Sequence, residues 1–468
     1  MKTITSAWAR LVRAAGLIAS LLGIPAAARA TVYDATPANY QSLLGSLLPG
    51  DTLRLGAGNY PRLTIDGLNG TSAASITIAG PASGAPAVIL GDPCCNTVQL
   101  YGSSYVAIKN LTIDGQGYDV DGINAKGTPS HHILIEGCTF LNFANNQQTV
   151  AISTKVETWN WIVRGNYIDG AGTGMYFGNS DGCCPFVAGI IENNLVKNTT
   201  GYNVQVKHQN VYTLLPGMPA GPNRTIIRNN VFIKDDRPSP DGSRPNLLVD
   251  GFPDSGPGST DLYEIYGNLI VHNPRESLIQ ASGRVSIHDN VLVDAGADQN
   301  AIFLTDHNHV LKLAHVYNNT IYGGMQGIRF ANQPREEGRV VGNMVFADTP
   351  ISSCCTLAAN SGNVTDTIAN AGSYVNQPTF TLGSMDFYPR SSCATCSGAA
   401  LDLSAFSTQT DYDRDFNATS KGGFTYRGAY AGAGVNPGWR LSDGFKSSGA
   451  TGVDDVVAPA AISDLRPR

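Results

Sequence analysis

The chain has 468 residues, of which only 15% are charged and 52 are glycine. So few charges exclude a charged helical bundle or a coiled coil, and a net charge of −6 gives no electrostatic footprint for nucleic acid. Hydrophobic residues at 42% are enough for a large core, which excludes wholesale disorder.

Lys2, Arg10 and Arg13 precede an apolar run over residues 14–24, and Ala28-Arg29-Ala30 supplies small residues for cleavage. Residues 1–30 therefore read as a secretory signal peptide, with export to the extracellular space or periplasm. The run is too short to span a membrane, and no later stretch is long and apolar enough. Losing Lys2, Arg10, Arg13 and Arg29 takes the net charge from −6 to −10. A polyanion would then need a local cationic site or a metal to bind. Export also makes the nine cysteines candidates for oxidation. Cys94-Cys95, Cys183-Cys184, Cys354-Cys355 and Cys393-x-x-Cys396 read as short-range disulfides pinning loops, with Cys138 a buried thiol.

After the leader, Thr36-Pro37 reads as N-cap and first residue of a short amphipathic helix reaching Leu47, placed to plug an end. A repeat then sets the architecture. One six-residue pattern (apolar, any, small or Asn, Asn, any, apolar) recurs, as in Val163-Arg164-Gly165-Asn166-Tyr167-Ile168 and Ile227-Arg228-Asn229-Asn230-Val231-Phe232. Its fourth positions are Cys138, Asn166, Asn194, Asn230, Asn268, Asn290, Asn319 and Asn343, advancing by 28, 28, 36, 38, 22, 29 and 24 residues. A minimum near 22 with variable excess suits one turn of a parallel β-helix plus loops. Alternation of period two within each unit means strand, and Gly or Asn provides the bend. Stacked Asn side chains are expected to hydrogen-bond from coil to coil.

A second strand per coil lies about fourteen residues before most of these bends. Alternation points Ile123, Met175, Val204, Val206, Leu247 and Val249 inward, and Asn124, Lys126, Tyr176, Gln205, Lys207, Asp250 and Arg329 outward. The expected fold is all-β, a single-stranded right-handed parallel β-helix over residues 31–445. Residues 371–445 lose the repeat and are expected to wrap the other end; 446–468 read as a flexible tail.

Several segments are similar to those of secreted β-helix proteins. The opening Pro49-Gly50-Asp51-Thr52-Leu53-Arg54-Leu55, with Gly58-Asn59-Tyr60 and Ser75-Ile76-Thr77-Ile78, resembles that of the alginate lyase and chondroitinase B group. Asp411-Tyr412-Asp413-Arg414 and Arg427-Gly428-Ala429-Tyr430 resemble a closing pattern of such chains. The resemblance is to the pectate-lyase-like superfamily, over roughly residues 31–430. It implies a base lysine on an outward strand, the position of Lys207. The Arg-His-Gly setting of the alginate-lyase group is absent, and a calcium-plus-lysine arrangement suits the Asp-rich loops.

The chemistry this reading asks for is β-elimination at an acidic polysaccharide. Calcium or arginine neutralises the sugar carboxylate, and a base removes the adjacent C5 proton. Lys207 is the expected base, a role requiring its pKa to be depressed. His208 and Arg244 are expected beside it, with Tyr176, Gln205 and Arg275 binding substrate. Asp235, Asp236 and Asp250 are the candidates for Ca²⁺. An exposed Lys207–Asp250 ion pair is the bland alternative. Asp306-His307-Asn308-His309 reads as a polar turn. Trp159 and Trp161 are further candidates for stacking on sugars. Asp119-Val120-Asp121-Gly122 is not followed by the paired Asp and Gly-His-Gly of polygalacturonases. The expected function is a secreted lyase acting as a monomer, the alternative being a non-catalytic glycan-binding β-helix.

Overall fold

The computed structural model describes residues 30–447 apart from 145, 297 and 298. The signal-peptide reading of 1–30 and the tail reading of 446–468 lie almost wholly outside the described residues.

Strands stack into three parallel sheets of 15, 12 and 11 strands, and each coil of the chain visits the three in turn. In one coil, Ser130–Glu136 lies in the first sheet, Thr139–Leu141 in the second and Val150–Thr154 in the third. All pairings between the three sheets' own strands are parallel, with a register shift at Gly283/Arg284, giving the expected parallel β-helix. Inward residues alternate with outward ones, so Ile123, Met175, Val204, Val206, Leu247 and Val249 are all fully buried. Each such aliphatic side chain contributes about 1.5–3 kcal/mol of burial.

The tight bend between first and second sheets explains the repeat. Asn193, Asn229 and Asn318 take φ values of 54°, 56° and 50°, the left-handed region that Asn and Gly tolerate. The next Asn turns inward and joins a ladder. Side-chain amides donate from Asn166 to Asn194, and so on through Asn230, Asn268, Asn290, Asn319 and Asn343 to Asn363, at 2.9–3.1 Å. Cys138 starts the ladder with its backbone N–H on Asn166 Oδ1 at 2.9 Å. It is a buried thiol, pushed up to about 12 by desolvation. Cys94–Cys95, Cys183–Cys184 and Cys393–Cys396 are disulfides, whereas Cys354 and Cys355 are free.

Two expectations about the ends need correction. The helix covers only Tyr40–Leu44, because Asn39 is its N-cap and Thr36 instead closes a preceding turn through its carbonyl. Tyr40 and Leu44 still pack into the main core. The C-terminal segment does more than wrap an end. Met385, Phe387, Phe416, Tyr430 and Leu441 cover the outward aliphatic residues of the second sheet, from Leu195 to Phe346. Leu401, Leu403 and Phe406 cover Tyr317 and Val341 on the first. Elsewhere the first sheet's outer face is an ion ladder, running Lys109–Glu136–Arg164–Glu192–Arg228. The outer face of the third sheet is therefore the one left for a ligand.

Candidate functional site

Strands Ile123–Ala125, Val150–Thr154, Thr173–Phe177, Val204–Val206 and Leu247–Val249 are successive members of the third sheet. Their register aligns Asn124, Ser153, Tyr176, Gln205 and Leu248 in one outward column. The next outward column is Lys126, Lys155, Gly178, Lys207 and Asp250 (each backbone N–H bonding the preceding coil). Adjacent coils are ~4.8 Å apart, so neighbours in a column act on one another.

Lys207 is half-buried, and its ammonium makes no hydrogen bond or ion pair among the described residues. Burial lowers its pKa, Asp250 opposes that, and Arg244 adds to the lowering. Lys155, which the sequence reading did not single out, is depressed by burial too, with Lys207 contributing and Asp121 opposing. Its Nζ sits 3.6 Å from the centre of the Tyr176 ring, a cation–π contact suited to an ammonium without a carboxylate. Gly178 separates the two lysines. It has φ +90°, and a Cβ there would lie 3.2 Å from Cβ of Lys207. Glycine thus keeps a gap open between two cations.

Tyr202 completes the cationic strip. Its pKa is raised by burial, with Arg244, Asp250 and Gln205 close enough to modify it, so its hydroxyl stays protonated. The Arg244 guanidinium lies 5.8 Å from the centre of that ring, and Nη1 donates to the Ser243 carbonyl at 2.9 Å. No carboxylate pairs with Arg244 among the described residues. Its backbone is fixed from below, where Lys234 Nζ and Asn273 Nδ2 donate to the Arg244 carbonyl at 3.1 and 2.9 Å. Burial brings Lys234 down to about 7. Gln205 is buried at the strand centre, and Arg275 is exposed on the following loop.

Asp250 departs from both readings made of it. It forms no ion pair with Lys207. Oδ1 accepts from Gly251 N–H and the Ser282 hydroxyl, and Oδ2 is 2.8 Å from His307 Nδ1 and accepts from Asn308 Nδ2. His208 Nδ1 is 3.8 Å from Oδ2, and its ring centre is 5.7 Å from that of His309. The His307–Asn308 turn thus has a definite task, which is to hold a buried carboxylate.

The three carboxylates expected to hold Ca²⁺ do not fit it. Asp250 has both oxygens filled by protein donors. Asp235 is 2.7 Å from Arg237 Nε, and the exposed Asp236 is 2.9 Å from His272 Nε2. Among the described residues no group of three or more His, Cys, Asp or Glu is gathered to hold a metal. The tryptophans are also committed elsewhere. Trp161 is fully buried in the core, and Trp159, 2% exposed, stacks on His131.

Solved structures resemble this chain at low identity. Pectate lyase Pel9A is 16% identical over 86% of this chain and 96% of its own, with a TM-score of 0.46. An alginate lyase from Paenibacillus sp. str. FPU-7 is 17% identical over 72% of this chain and 95% of its own, with a TM-score of 0.35. The A-module of mannuronan C-5 epimerase AlgE6 from Azotobacter vinelandii is 16% identical, covering 70% and 94%, with a TM-score of 0.41. The likeness is one of fold. No protein-family model and no curated protein matches the chain.

Proposed function

We propose that the protein is a polysaccharide lyase that cleaves a uronate-containing glycan by β-elimination. One observation carries the reading. On a chain with net negative charge, the open face of the third sheet gathers Lys155, Lys207 and Arg244, none of them ion-paired among the described residues, around Tyr176 and Tyr202. A sugar carboxylate seated against Arg244 and Lys155 loses its charge penalty, which acidifies the neighbouring C5–H. Lys207, with its ammonium disfavoured by burial, accepts that proton as the free amine. The C5–H electron pair becomes the C4=C5 double bond, the C4–O4 bond breaks, and the leaving oxygen takes a proton from solvent. Export fits this substrate. Residues 1–30 have the composition of a leader, and three disulfides suit an oxidising compartment.

The test is incubation of the purified protein with a panel of uronate polysaccharides while following ultraviolet absorbance of the conjugated product. Absorbance should rise on one polysaccharide and stay flat with Lys207→Ala. Binding without any unsaturated product would overturn the lyase reading and favour a glycan-binding β-helix.

A further inference from the structure

At the N-terminal end of the same sheet face lies a groove of about 330 Å³. It is lined among others by Arg62, Tyr101, Lys126, Asp119 and the Cys94–Cys95 disulfide. Apart from Lys126, which heads the lysine column, none of these belongs to the site described above. Arg62 and Lys126 are cations without an ion pair among the described residues; Arg62 Nη1 reaches only Cys94 Sγ, at 3.9 Å. Asp119 is the one carboxylate of the lining, and it is occupied. Its Oδ1 accepts from the Thr149 hydroxyl at 2.6 Å and its Oδ2 from Asn146 Nδ2 at 3.0 Å. The groove therefore presents net positive charge to whatever enters it.

Its other surfaces suit the apolar faces of a pyranose. The Tyr101 ring packs close to Gly127, where a Cβ would come 3.2 Å from Cδ1, and the ring itself is partly exposed. The two joined cysteines add a small apolar ridge to the same lining. The ridge is held in a turn by Asp92, which accepts the Cys94 N–H at Oδ1 (2.9 Å) and the Cys95 N–H at its carbonyl (3.1 Å). An aromatic plate, an apolar ridge and two unpaired cations together describe a seat for an acidic sugar.

Position supplies the remaining argument. The strand following Arg62, Leu63–Asp66, stands five coil steps before the Lys207 strand in the third sheet, ~24 Å at the spacing of parallel strands. Lys126 and Lys155 stand between, in the same column as Lys207. One coil step is close to the length that one 1,4-linked pyranose adds to a chain, so a chain laid along this face from Lys207 reaches the groove about five residues on.

We infer that this groove is a distal subsite, which takes the acidic sugar about five residues along the chain from the bond cleaved at Lys207. The inference rests on the lyase reading and adds that the enzyme prefers long, internally uncut polyuronates.

Binding to the catalytically silent Lys207→Ala protein tests it, using calorimetry with a trimer and an octamer of mannuronate and of galacturonate. The octamer of one series should bind at least about tenfold more tightly than its trimer. That ratio should collapse in Arg62→Gln/Lys126→Gln and in Tyr101→Ala, whose folding is checked by thermal melting. All three side chains are at least partly exposed, so these variants should keep the fold. An unchanged ratio in all the variants, equal affinity for trimer and octamer, or no binding of either series overturns the subsite. Absence of any unsaturated product when the unsubstituted protein meets the polysaccharide panel would instead overturn the lyase reading, so the two failures are told apart.

Discussion

Nδ1 of His307 lies 2.8 Å from Oδ2 of Asp250, a contact that joins two coils across 57 residues of sequence. Burial alone would raise the Asp250 carboxyl, but His307 and Asn308 outweigh it and hold the pKa well below the ordinary 3.8. The stabilisation is therefore complete above that value and is lost as the pH falls below it. Asp250→Ala strands the donors of His307, Asn308, Ser282 and Gly251 and should cost about 3–5 kcal/mol in urea unfolding. His307→Ala, at a half-exposed ring, should cost less than half as much.

Lys207→Ala should lower turnover by about 10²–10⁴-fold while substrate affinity changes little. Because burial lowers the Lys207 pKa, the rise of turnover with pH should be centred below the 10.5 of a free lysine. A pH–rate profile checks this. A limb centred at or above that value would contradict the role of the amine as base.

Lys234→Met removes one of the two hydrogen bonds that fix the Arg244 carbonyl from below. The buried methionine should be tolerated, but the Arg244 carbonyl is then held by Asn273 Nδ2 alone. We expect KM to rise several-fold with kcat nearly unchanged, the pattern of weakened substrate seating. Steady-state kinetics on whichever uronate polysaccharide the panel picks out would show the split.

Chelation should leave turnover unchanged. Asp235, Asp236 and Asp250 are engaged by Arg237, His272, and the Ser282, His307 and Asn308 group, so none is free to gather around a cation. Rates measured with a chelator and with added Ca²⁺ should agree. Loss of activity that calcium restores would show that these loops rearrange.

The asparagine ladder predicts a gradient of stability. The Asn230 side chain makes four bonds, accepting from the Asn194 N–H and amide and donating to Ile191 O and Asn268 Oδ1. Asn230→Ala should cost about 3 kcal/mol or more, because the partners left behind are buried. Asn363→Ala, at the half-buried end of the ladder, should cost about 1 kcal/mol. Denaturant titration of the two variants gives the comparison.

The ladder was legible because a one-residue requirement recurs once per coil. Lys207, Tyr176 and Gln205 were legible for a related reason, since alternation on a strand decides which side chains point outward. Lys155 was within reach by the same logic, because Ile152-x-Thr154-Lys155 copies Ile123-x-Ala125-Lys126. Loops offered no such rule. Asp235 and Asp236 read as metal ligands from composition, but the loop turns them back onto Arg237 and His272. The Asp250–His307 contact depends on a turn two coils away, and nothing local to either residue encodes it. The covering of two sheets by the C-terminal segment was equally hidden, since its apolar residues have no period.

That covering segment changes how the molecule comes apart. A bare solenoid is quasi-one-dimensional and is free to unravel coil by coil from an end. Here Asp443 is 3.0 Å from Lys197 Nζ, and Lys446 Nζ donates to Asn229 Oδ1 and the Gly267 carbonyl at 3.0 and 2.6 Å. Lys421 is 2.7 Å from Asp289. The chain thus returns from its last coil and clasps coils made some two hundred residues earlier, so the final turns cannot fray without releasing the middle. The clasp is also among the last described residues to be synthesised. Until it arrives, the growing stack exposes the aliphatic flank of its second sheet, and the fold locks only when Lys421, Asp443 and Lys446 have emerged.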